Sequence, residues 1–369
     1  KNDLSVIKGE DLIKKVNIWQ NGSYTTYDSS SANAATAFSR FCSADLPKVS
    51  SFYNASSGLG TQERIFMTGE ESGAEGRAFG HIVTGANAGT SYELPTLGNM
   101  SYENVMAHPN TGDKTVVAVT DDATPGQVYM YIGTKTNSGS EIDKAGLSNG
   151  KLYGIAVSGL STEVSTSFIA PKSAFTMVDL GSVKDSTGAA INTMSNAKGV
   201  TAFLRPEDGS WDPSNPNDFY FVTTNSFTAP SRMYRLHFSD INDFTKGGEI
   251  TAVLDGTEGQ KMLDNMTIDN YGHALLQEDP GNNIHIAKIW QYTIATDKLE
   301  LLAYHNPDRF IAGGADYLTQ DEESSGIIDL EEILGAGNFL FVQQAHYNNG
   351  TTLVEGGQLL KMYNSAVDK

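Results

Sequence analysis

The stretch Asp264–Asp279, DNMTIDNYGHALLQED, contains the unit that decides the fold. A β-rich run comes first, a turn follows at Asp269–Gly272, and a second run ends on the acidic pair Glu278–Asp279. Asn and Gly in the turn tolerate the positive φ angles that tight hairpins need. The stretch therefore predicts an antiparallel hairpin whose end carries carboxylates.

Runs of this kind recur along the chain. Five β-rich runs end in acidic or polar residues: Arg64–Glu71, Thr115–Asp122, Asp218–Asn225, His273–Asp279 and Asn338–His346. Four of the runs that follow them are similar to one another: Gln127–Tyr131, Arg232–Phe238, Lys288–Ile294 and Gln358–Tyr363. A further run of this second kind, Lys151–Val157, brings the expected number of units to six. The uneven spacing suits four-stranded blades with insertions better than tight repeats.

The pattern predicts an all-β fold, a β-propeller of six antiparallel blades that forms a single domain over residues 1–369. A few short helices are expected, at Gly9–Lys15, Ser31–Phe41 and Leu330–Leu334. A parallel α/β fold would need alternating helical patterns of about 10–15 residues, which the sequence lacks. A β-sandwich is the closer rival, and the long intervals between hairpins favour the propeller.

The charge balance narrows the function classes. With 25 basic and 44 acidic residues, the formal net charge is −19, so the basic surface that a nucleic-acid partner requires is not expected. Excess carboxylate serves either solubility or the binding of hard cations such as Ca²⁺. The single cysteine, Cys42, excludes an intramolecular disulfide. No apolar run approaches the roughly 18 residues of a membrane span.

Acidic pairs close three of the hairpins, namely Glu70–Glu71, Asp121–Asp122 and Glu278–Asp279. Uncompensated carboxylates that lie close together repel one another and raise each other's pKa, so a cation would stabilise them. Each pair alone could equally lie in a solvated loop. Three pairs at equivalent hairpin ends indicate a shared cation-binding face.

Six residues outside these three pairs have chemistry suited to such a face: Cys42, Glu103, Arg205, Glu207, Asp264 and Glu323. A thiolate is a soft metal ligand, and an arginine near metals can clamp a phosphoryl group through its planar fork of donors. The ordinary alternatives are an inert buried thiol, a surface ion pair and a solvated charge run. The scattered histidines show no zinc spacing, and no phosphate loop or GxSxG motif occurs.

Several phrases occur in order between residues 39 and 347: RFCSADLP, TGEESGAEGRAFGH, SYENVMAHPNTGD with VAVTDD, LRPED, LDNMTIDNYGH with QED, and DEESSG with LFVQQAHY. Together they resemble the PhoX-type alkaline phosphatases, calcium- and iron-dependent phosphomonoesterases on a six-bladed propeller. The chain departs from the family pattern over Lys48–Glu63, which is longer and rich in Ser and Asn, and around Asp121–Asp122.

The resemblance implies hydrolysis of small-molecule phosphate esters with Ca²⁺ and Fe³⁺ as cofactors. It makes Cys42 the thiolate ligand of iron, Glu103 and Glu207 carboxylates of the iron site, and Arg205 the group that holds the phosphate. Catalysis would then rest on Arg205 and Glu207. The remaining implied metal ligands are Glu70, Glu71, Asp121, Asp122, Asp264 and Glu323. We also expect a monomer that is exported to the periplasm or secreted.

Two other functions fit the same sequence. A calcium-stabilised propeller could bind a ligand or partner without catalysis, and a calcium-dependent lactonase or phosphotriesterase would use the acidic face but not Cys42. In each interpretation, the acidic hairpin ends support the site. The residues that decide catalysis are expected to lie outside the hairpin repeat.

Overall fold

The computed structural model describes residues 5–166, 172–350 and 355–368, and strands dominate it, which confirms the all-β prediction. The α-helices of this part are short: α1 (Val49–Phe52), α2 (Glu141–Lys144), α3 (Gly188–Ala197), α4 (Pro307–Phe310) and α5 (Glu331–Leu334). Single 3-10 turns lie at Ala34–Thr36, Pro95–Leu97, Phe244–Lys246, Ile294–Thr296 and Ser365–Asp368. None of the helices in the described ranges has the length and apolar character that crossing a membrane would require.

The strands follow one another in five groups. The first contains β1 (Lys15–Gln20), β2 (Ser23–Asp28), β3 (Phe41–Asp45), β4 (Tyr53–Asn54), β5 (Leu59–Gly60), β6 (Ile65–Glu70), β7 (Ala78–Ile82) and β8 (Thr90–Glu93). The second contains β9 (Tyr102–Ala107), β10 (Lys114–Asp121), β11 (Gly126–Thr134), β12 (Lys151–Val157), β13 (Lys172–Gly181) and the short β14 (Ala202–Phe203). The third contains β15 (Pro206–Trp211), β16 (Asp218–Thr223), β17 (Arg232–Phe238) and β18 (Gly248–Leu254).

The last two groups are smaller sheets. The fourth contains β19 (Leu263–Ile268), β20 (His273–Glu278), β21 (Lys288–Thr293) and β22 (Lys298–Tyr304). The fifth contains β23 (Glu322–Asp329), β24 (Asn338–Ala345) and β25 (Gly356–Tyr363).

Neighbouring strands within each group pair antiparallel, apart from the parallel pair β1–β8. The first sheet has the order β2-β1-β8-β7-β6-β3, with β4 and β5 forming a separate hairpin. The second and third groups are joined by β13 and β18 into one sheet of order β15-β16-β17-β18-β13-β12-β11-β10-β9, with β14 beside β11. The fourth and fifth groups are meanders in chain order.

All five hairpins expected from the sequence are present, as the antiparallel pairs β6–β7, β10–β11, β16–β17, β20–β21 and β24–β25. The run Lys151–Val157 does not begin a sixth unit, because β12 pairs with β11 and so extends the second group.

Two of the three expected helices are wrong. Gly9–Lys15 has no helix, since the chain enters β1 at Lys15 and pairs with β8. Ser31–Phe41 holds only the turn Ala34–Thr36, because Asn33 and Thr36 bond each other's backbone in a capping box and Phe41 begins β3. Leu330–Leu334 coincides with α5.

Five edge strands lie side by side in chain order, and they position the candidate site. These strands, called the inner strands below, are β3, β9, β15, β19 and β23, and each packs against the next. Hydrophobic cores fill the space between successive sheets: Ile65 and Met67 of the first group meet Val105 and Val117 of the second in one of them. The fourth and fifth sheets share a smaller core. Because this packing fixes each sheet against its neighbour, the inner strands are held at fixed distances.

Candidate active site

The second residue of every inner strand is a thiol or a carboxylate. These residues are Cys42, Glu103, Glu207, Asp264 and Glu323. They occupy the same position in strands that lie side by side, so each of the five groups contributes one side chain of a type that can bind a metal to the same end of the inner strands. The sequence placed the deciding residues outside the hairpin repeat, and these five residues lie on strands other than the paired strands of the five hairpins. They form a second repeat on the inner strands, each of which precedes the hairpin of its own group.

Four of these residues, together with Glu71, form two overlapping groups of potential ligand atoms. The Cys42 sulfur and carboxylate oxygens of Glu71 and Glu103 lie within 4.8 Å of one another. Oxygens of Glu103, Glu207 and Asp264 also lie within 4.8 Å of one another. Glu103 belongs to both groups, which therefore form one continuous cluster. Glu71 joins from the end of β6, where its N–H donates to the Arg40 carbonyl at 2.9 Å.

Negative charge in this cluster exceeds the positive charge around it. Burial raises the pKa of Glu103 to about 7. Burial, followed by repulsion from Asp264, raises the pKa of Glu207 well above its ordinary value, and burial with repulsion from Glu103 does the same for Asp264. Burial and the neighbouring carboxylates Glu103 and Asp264 also raise the pKa of the Cys42 thiol. Such groups gain stability from protons or from a bound cation.

Two arginines contact the cluster, Arg40 at Glu71 and Arg205 at Glu207. Arg205 is bound by two carboxylates. Its Nε and Nη2 donate to the two Asp122 oxygens at 2.8 and 3.0 Å, and Nη2 lies 3.0 Å from Glu207 Oε1. Burial opposes its charge, but the hydrogen bonds to Asp122 and the Glu207 carboxylate outweigh burial and raise its pKa. About 30% of the side chain is exposed, so a small anion can reach it. Asp122 therefore orients Arg205.

A polar residue at the third position of the inner strands connects several groups. Ser43 donates its hydroxyl to Glu103 at 2.6 Å and accepts a hydrogen bond from Asn265 at 2.6 Å. The Asn265 side-chain oxygen accepts from the Ser325 hydroxyl at 3.1 Å and the Gly326 N–H at 2.9 Å. Asn265 thus joins the first and last groups across β19 and fixes the Glu103 carboxylate through Ser43.

A second set of bonds at this level joins the middle groups. Asn104 donates its side-chain amide to Asp208 at 2.6 Å, and the other Asp208 oxygen accepts the Met266 N–H at 3.0 Å. Burial raises the pKa of Asp208 to about 6. The strands β9, β15 and β19 are therefore held together directly beneath Glu103, Glu207 and Asp264.

A cavity of about 800 Å³ opens beside the cluster, between the first and last groups. Cys42, Asp264 and Glu323 lie on its wall, together with Asp279 and His346. Its volume suffices for a small ester with its organic group. Burial and the nearby Asp279 carboxylate raise the pKa of Glu323 to about 7, and His346 lies 3.6 Å from it.

Three of the predicted metal ligands have other partners. Glu70 forms a two-pronged ion pair with Arg77, at 2.7 and 2.8 Å, and accepts the Ser39 N–H at 2.8 Å. Burial opposes ionisation, but these bonds hold the Glu70 pKa below its ordinary value. Asp121 accepts the Ser101 N–H at 3.1 Å, and burial raises its pKa to about 7. Asp122 pairs with Arg205. Among the described residues, the two groups of potential ligand atoms therefore contain Glu71 and not Glu70, Asp121 or Asp122.

Comparison with known proteins assigns the chain to a family. The sequence profile of the family described as "Alkaline phosphatase PhoX" matches residues 53–258, more than half of the chain. This chain belongs to that family. Family membership makes it a phosphoric monoester hydrolase, as the resemblance of its motifs implied.

One solved structure indicates a shared fold. Pseudomonas fluorescens PhoX in complex with vanadate, a transition state analogue, is similar with a TM-score of 0.61 at 12% identity, covering 94% of this chain and 78% of that chain. The polysaccharide lyase Uly1 reaches a TM-score of only 0.34 at 10% identity, covering 83% of this chain and 76% of its own, which is too low to indicate a shared fold. No curated protein matches the sequence significantly.

Sequence reasoning missed the polar residues that hold the thiol and carboxylate cluster in place, above all Ser43 and Asn265. A signal was present, since the inner strands read Cys42-Ser43, Glu103-Asn104, Glu207-Asp208, Asp264-Asn265 and Glu323-Ser324. Each pair places a small polar or acidic residue directly after the thiol or carboxylate of the candidate site. The pattern becomes visible only when the five strands are placed side by side.

Proposed function

We propose that this phosphatase hydrolyses small-molecule phosphate monoesters at a calcium–iron cluster on one end of its inner strands. The observation that carries the proposal is the convergence of one thiol or carboxylate from each of five strands beside the Arg205–Asp122 pair. In this arrangement, Cys42, Glu71 and Glu103 would hold iron, and Glu103, Glu207 and Asp264 would share the remaining cations.

The chemistry of the donor set fits these metals. A thiolate beside two carboxylates suits iron, whereas a group of three carboxylates suits a hard cation such as Ca²⁺. The raised pKa values of Glu103 and Asp264 express a surplus of negative charge that bound cations would neutralise. When bound, the metals would supply Lewis-acid activation of the phosphoryl group.

Arg205 would bind the phosphate. Asp122 and Glu207 engage its Nε and Nη2, and in the described part of the chain no partner is found for Nη1. That nitrogen can donate to a phosphate oxygen while the other two keep the guanidinium plane fixed. A fixed donor stabilises the charge that spreads over the equatorial oxygens during phosphoryl transfer.

Glu207 would act in two ways, as a cation ligand and as the group that holds Arg205 close to the cluster. Its side chain is 1% exposed, so water screens little of its interaction with Arg205 or with a bound cation. Glu323, Asp279 and His346 line the cavity beyond Asp264 and would contact the organic part of the ester or an outer calcium.

The larger setting is also a proposal. The order of the groups, with their inner strands side by side, supports a propeller as a single domain, in which the described ranges supply five blade-like sheets of the six expected. We further propose a monomer that acts in the periplasm or outside the cell, as in the family that the motifs resemble.

Parallel assays of p-nitrophenyl phosphate and a lactone, with and without EGTA, test this function. Turnover of the phosphate ester alone, lost with EGTA and recovered with Ca²⁺, supports the proposal. Lactone hydrolysis without phosphatase activity would favour the lactonase alternative. A lower melting temperature in EGTA, with no turnover of either substrate, would favour the calcium-stabilised binding protein.

A further inference from the structure

An ion pair lies fully buried between the second and third groups. The side chains of Glu163 and Arg232 are both 0% exposed, and Arg232 Nη1 donates to Glu163 Oε1. The Tyr234 hydroxyl donates to the same oxygen at 2.6 Å. Arg232 also donates to the carbonyls of Ser165, at 2.8 Å, and Asp255, at 3.2 Å. This end of the Glu163 carboxylate is therefore held by a charged and a neutral donor.

The other Glu163 oxygen holds the backbone just before Arg205. It accepts the Leu204 N–H at 2.9 Å. The segment containing Glu163 runs parallel to the one leading to Arg205, because Ala202 donates its N–H to Ser161 at 3.0 Å and accepts the Glu163 N–H at 2.8 Å. The next bond of a parallel ladder would use the Glu163 carbonyl. Here the carboxylate takes that N–H, and the regular ladder ends.

Directly after this bond, the chain adopts an unusual conformation. Arg205 has a φ of +58°, in the left-handed region that a non-glycine residue adopts only at a cost. Its carbonyl accepts the Thr224 N–H at 3.0 Å, and the Leu204 carbonyl accepts the Asn225 N–H at 3.1 Å. Bonds on both sides of the segment therefore hold the backbone at Arg205, whose side chain pairs with Asp122.

A fully buried ion pair contributes little to stability compared with an apolar pair of the same size. Its persistence beside a strained backbone indicates a role in defining one conformation. We propose that Glu163, held by Arg232 and Tyr234, is a positioning residue that fixes the backbone of Arg205 for phosphate binding. This inference rests on the proposed function, in which Arg205 holds the phosphate.

The test measures the affinity of the metal-loaded protein for inorganic phosphate by calorimetry, which does not depend on turnover. In Glu163→Gln, the amide oxygen stays with Arg232 and Tyr234, so the amide NH₂ faces the Leu204 N–H and their bond is lost. We expect phosphate binding about tenfold weaker than in the wild type. In an Arg205→Ala background, the same substitution should change the affinity less than about twofold, because nothing remains to be positioned.

Glu141→Gln is the matched control, because it removes another buried carboxylate, one paired with Lys144, far along the chain from Arg205. It should lower the melting temperature and leave phosphate affinity unchanged. If Glu163→Gln does not fold, Tyr234→Phe removes one donor from the same carboxylate. Tyr234→Phe should weaken phosphate binding by about two- to threefold, and this effect should again be absent in the Arg205→Ala background. That pair of measurements then tests the inference.

The inference is overturned if Glu163→Gln leaves phosphate affinity unchanged, or weakens it equally with and without Arg205. The second result would make the ion pair a purely structural element. If Arg205→Ala itself binds phosphate as tightly as the wild type, the failure lies in the proposed role of Arg205.

Discussion

Arg205 and Asp122 form a two-pronged ion pair that joins the end of β10 to the start of β15, with both distances at or below 3.0 Å. Asp122 is itself anchored, because its N–H donates to the Ser101 carbonyl at 2.8 Å. The pair sets the orientation of the guanidinium before any substrate arrives. Asp122, which the family resemblance implied to be a calcium ligand, therefore orients Arg205.

Replacing Arg205 with Lys should lower kcat/KM for p-nitrophenyl phosphate by about 100-fold, because Lys keeps the charge but loses the planar fork. Arg309→Lys, a change at an exposed arginine on α4, is the matched control and should leave kcat/KM unchanged. Wild-type kinetics in Arg205→Lys would remove Arg205 from the site.

Replacing Asn265 with Ala should weaken calcium binding by about 10- to 100-fold, because Asn265 holds Ser43 and thereby the Glu103 carboxylate. Calcium titration of the metal-free protein provides the measurement. Asn270→Ala is a suitable control, since the exposed Asn270 donates its side-chain amide to Glu331 at 2.6 Å, outside the cluster. Equal calcium affinity in both variants would show that the bonds beneath the cluster do not support it.

The metal-free protein should lose stability as the pH rises from about 5 to 8. Burial raises the pKa of Glu103 to about 7, above its unfolded value near 4.3, so the folded state binds more protons in this window. Deprotonation of Glu103 alone would lower the free energy of unfolding by about 3 kcal/mol. The pKa values of Glu207 and Asp264 are raised in the same direction. Urea unfolding in EGTA at the two pH values measures the effect.

Calcium should abolish most of this pH dependence, because a bound cation replaces the protons. Stability that instead increases with pH in EGTA would show that the cluster carboxylates are ionised and compensated without metal.

Glu70 and Glu71 should respond differently to substitution. Glu70→Gln should lower the free energy of unfolding by about 2 kcal/mol, since it leaves the Arg77 guanidinium without its counter-ion, and metal content should not change. Glu71→Gln should lower metal content, because Glu71 lies with Cys42 and Glu103. Metal analysis and urea unfolding of both variants separate the roles. Loss of metal from Glu70→Gln would restore Glu70 as a ligand.

The hairpins were predictable because alternating β-rich runs and Gly- or Asn-containing turns are local signals. Local signals also misled, since Lys151–Val157 has the composition of a new unit but pairs with β11. The position of this strand depends on the strand with which it pairs, and the local sequence does not identify that partner.

The candidate site was predictable in chemistry but not in arrangement. Cys42, Glu103, Glu207 and Asp264 could be named from motifs, yet adjacent acids such as Glu70 and Glu71 point to opposite faces of a strand. The register of the strand decides which of these two side chains points toward the cluster. Glu163 gave no signal, because its contact with Leu204 joins segments that are distant in the chain.

The iron and calcium content of the purified protein, measured by elemental analysis beside Cys42→Ala, tests the metal cluster most directly. We predict iron together with calcium in the wild type, and loss of iron with retained calcium and fold in Cys42→Ala, because only the thiolate group loses a ligand. A wild-type protein that contains neither metal, or a Cys42→Ala variant with full iron content, would contradict the cluster.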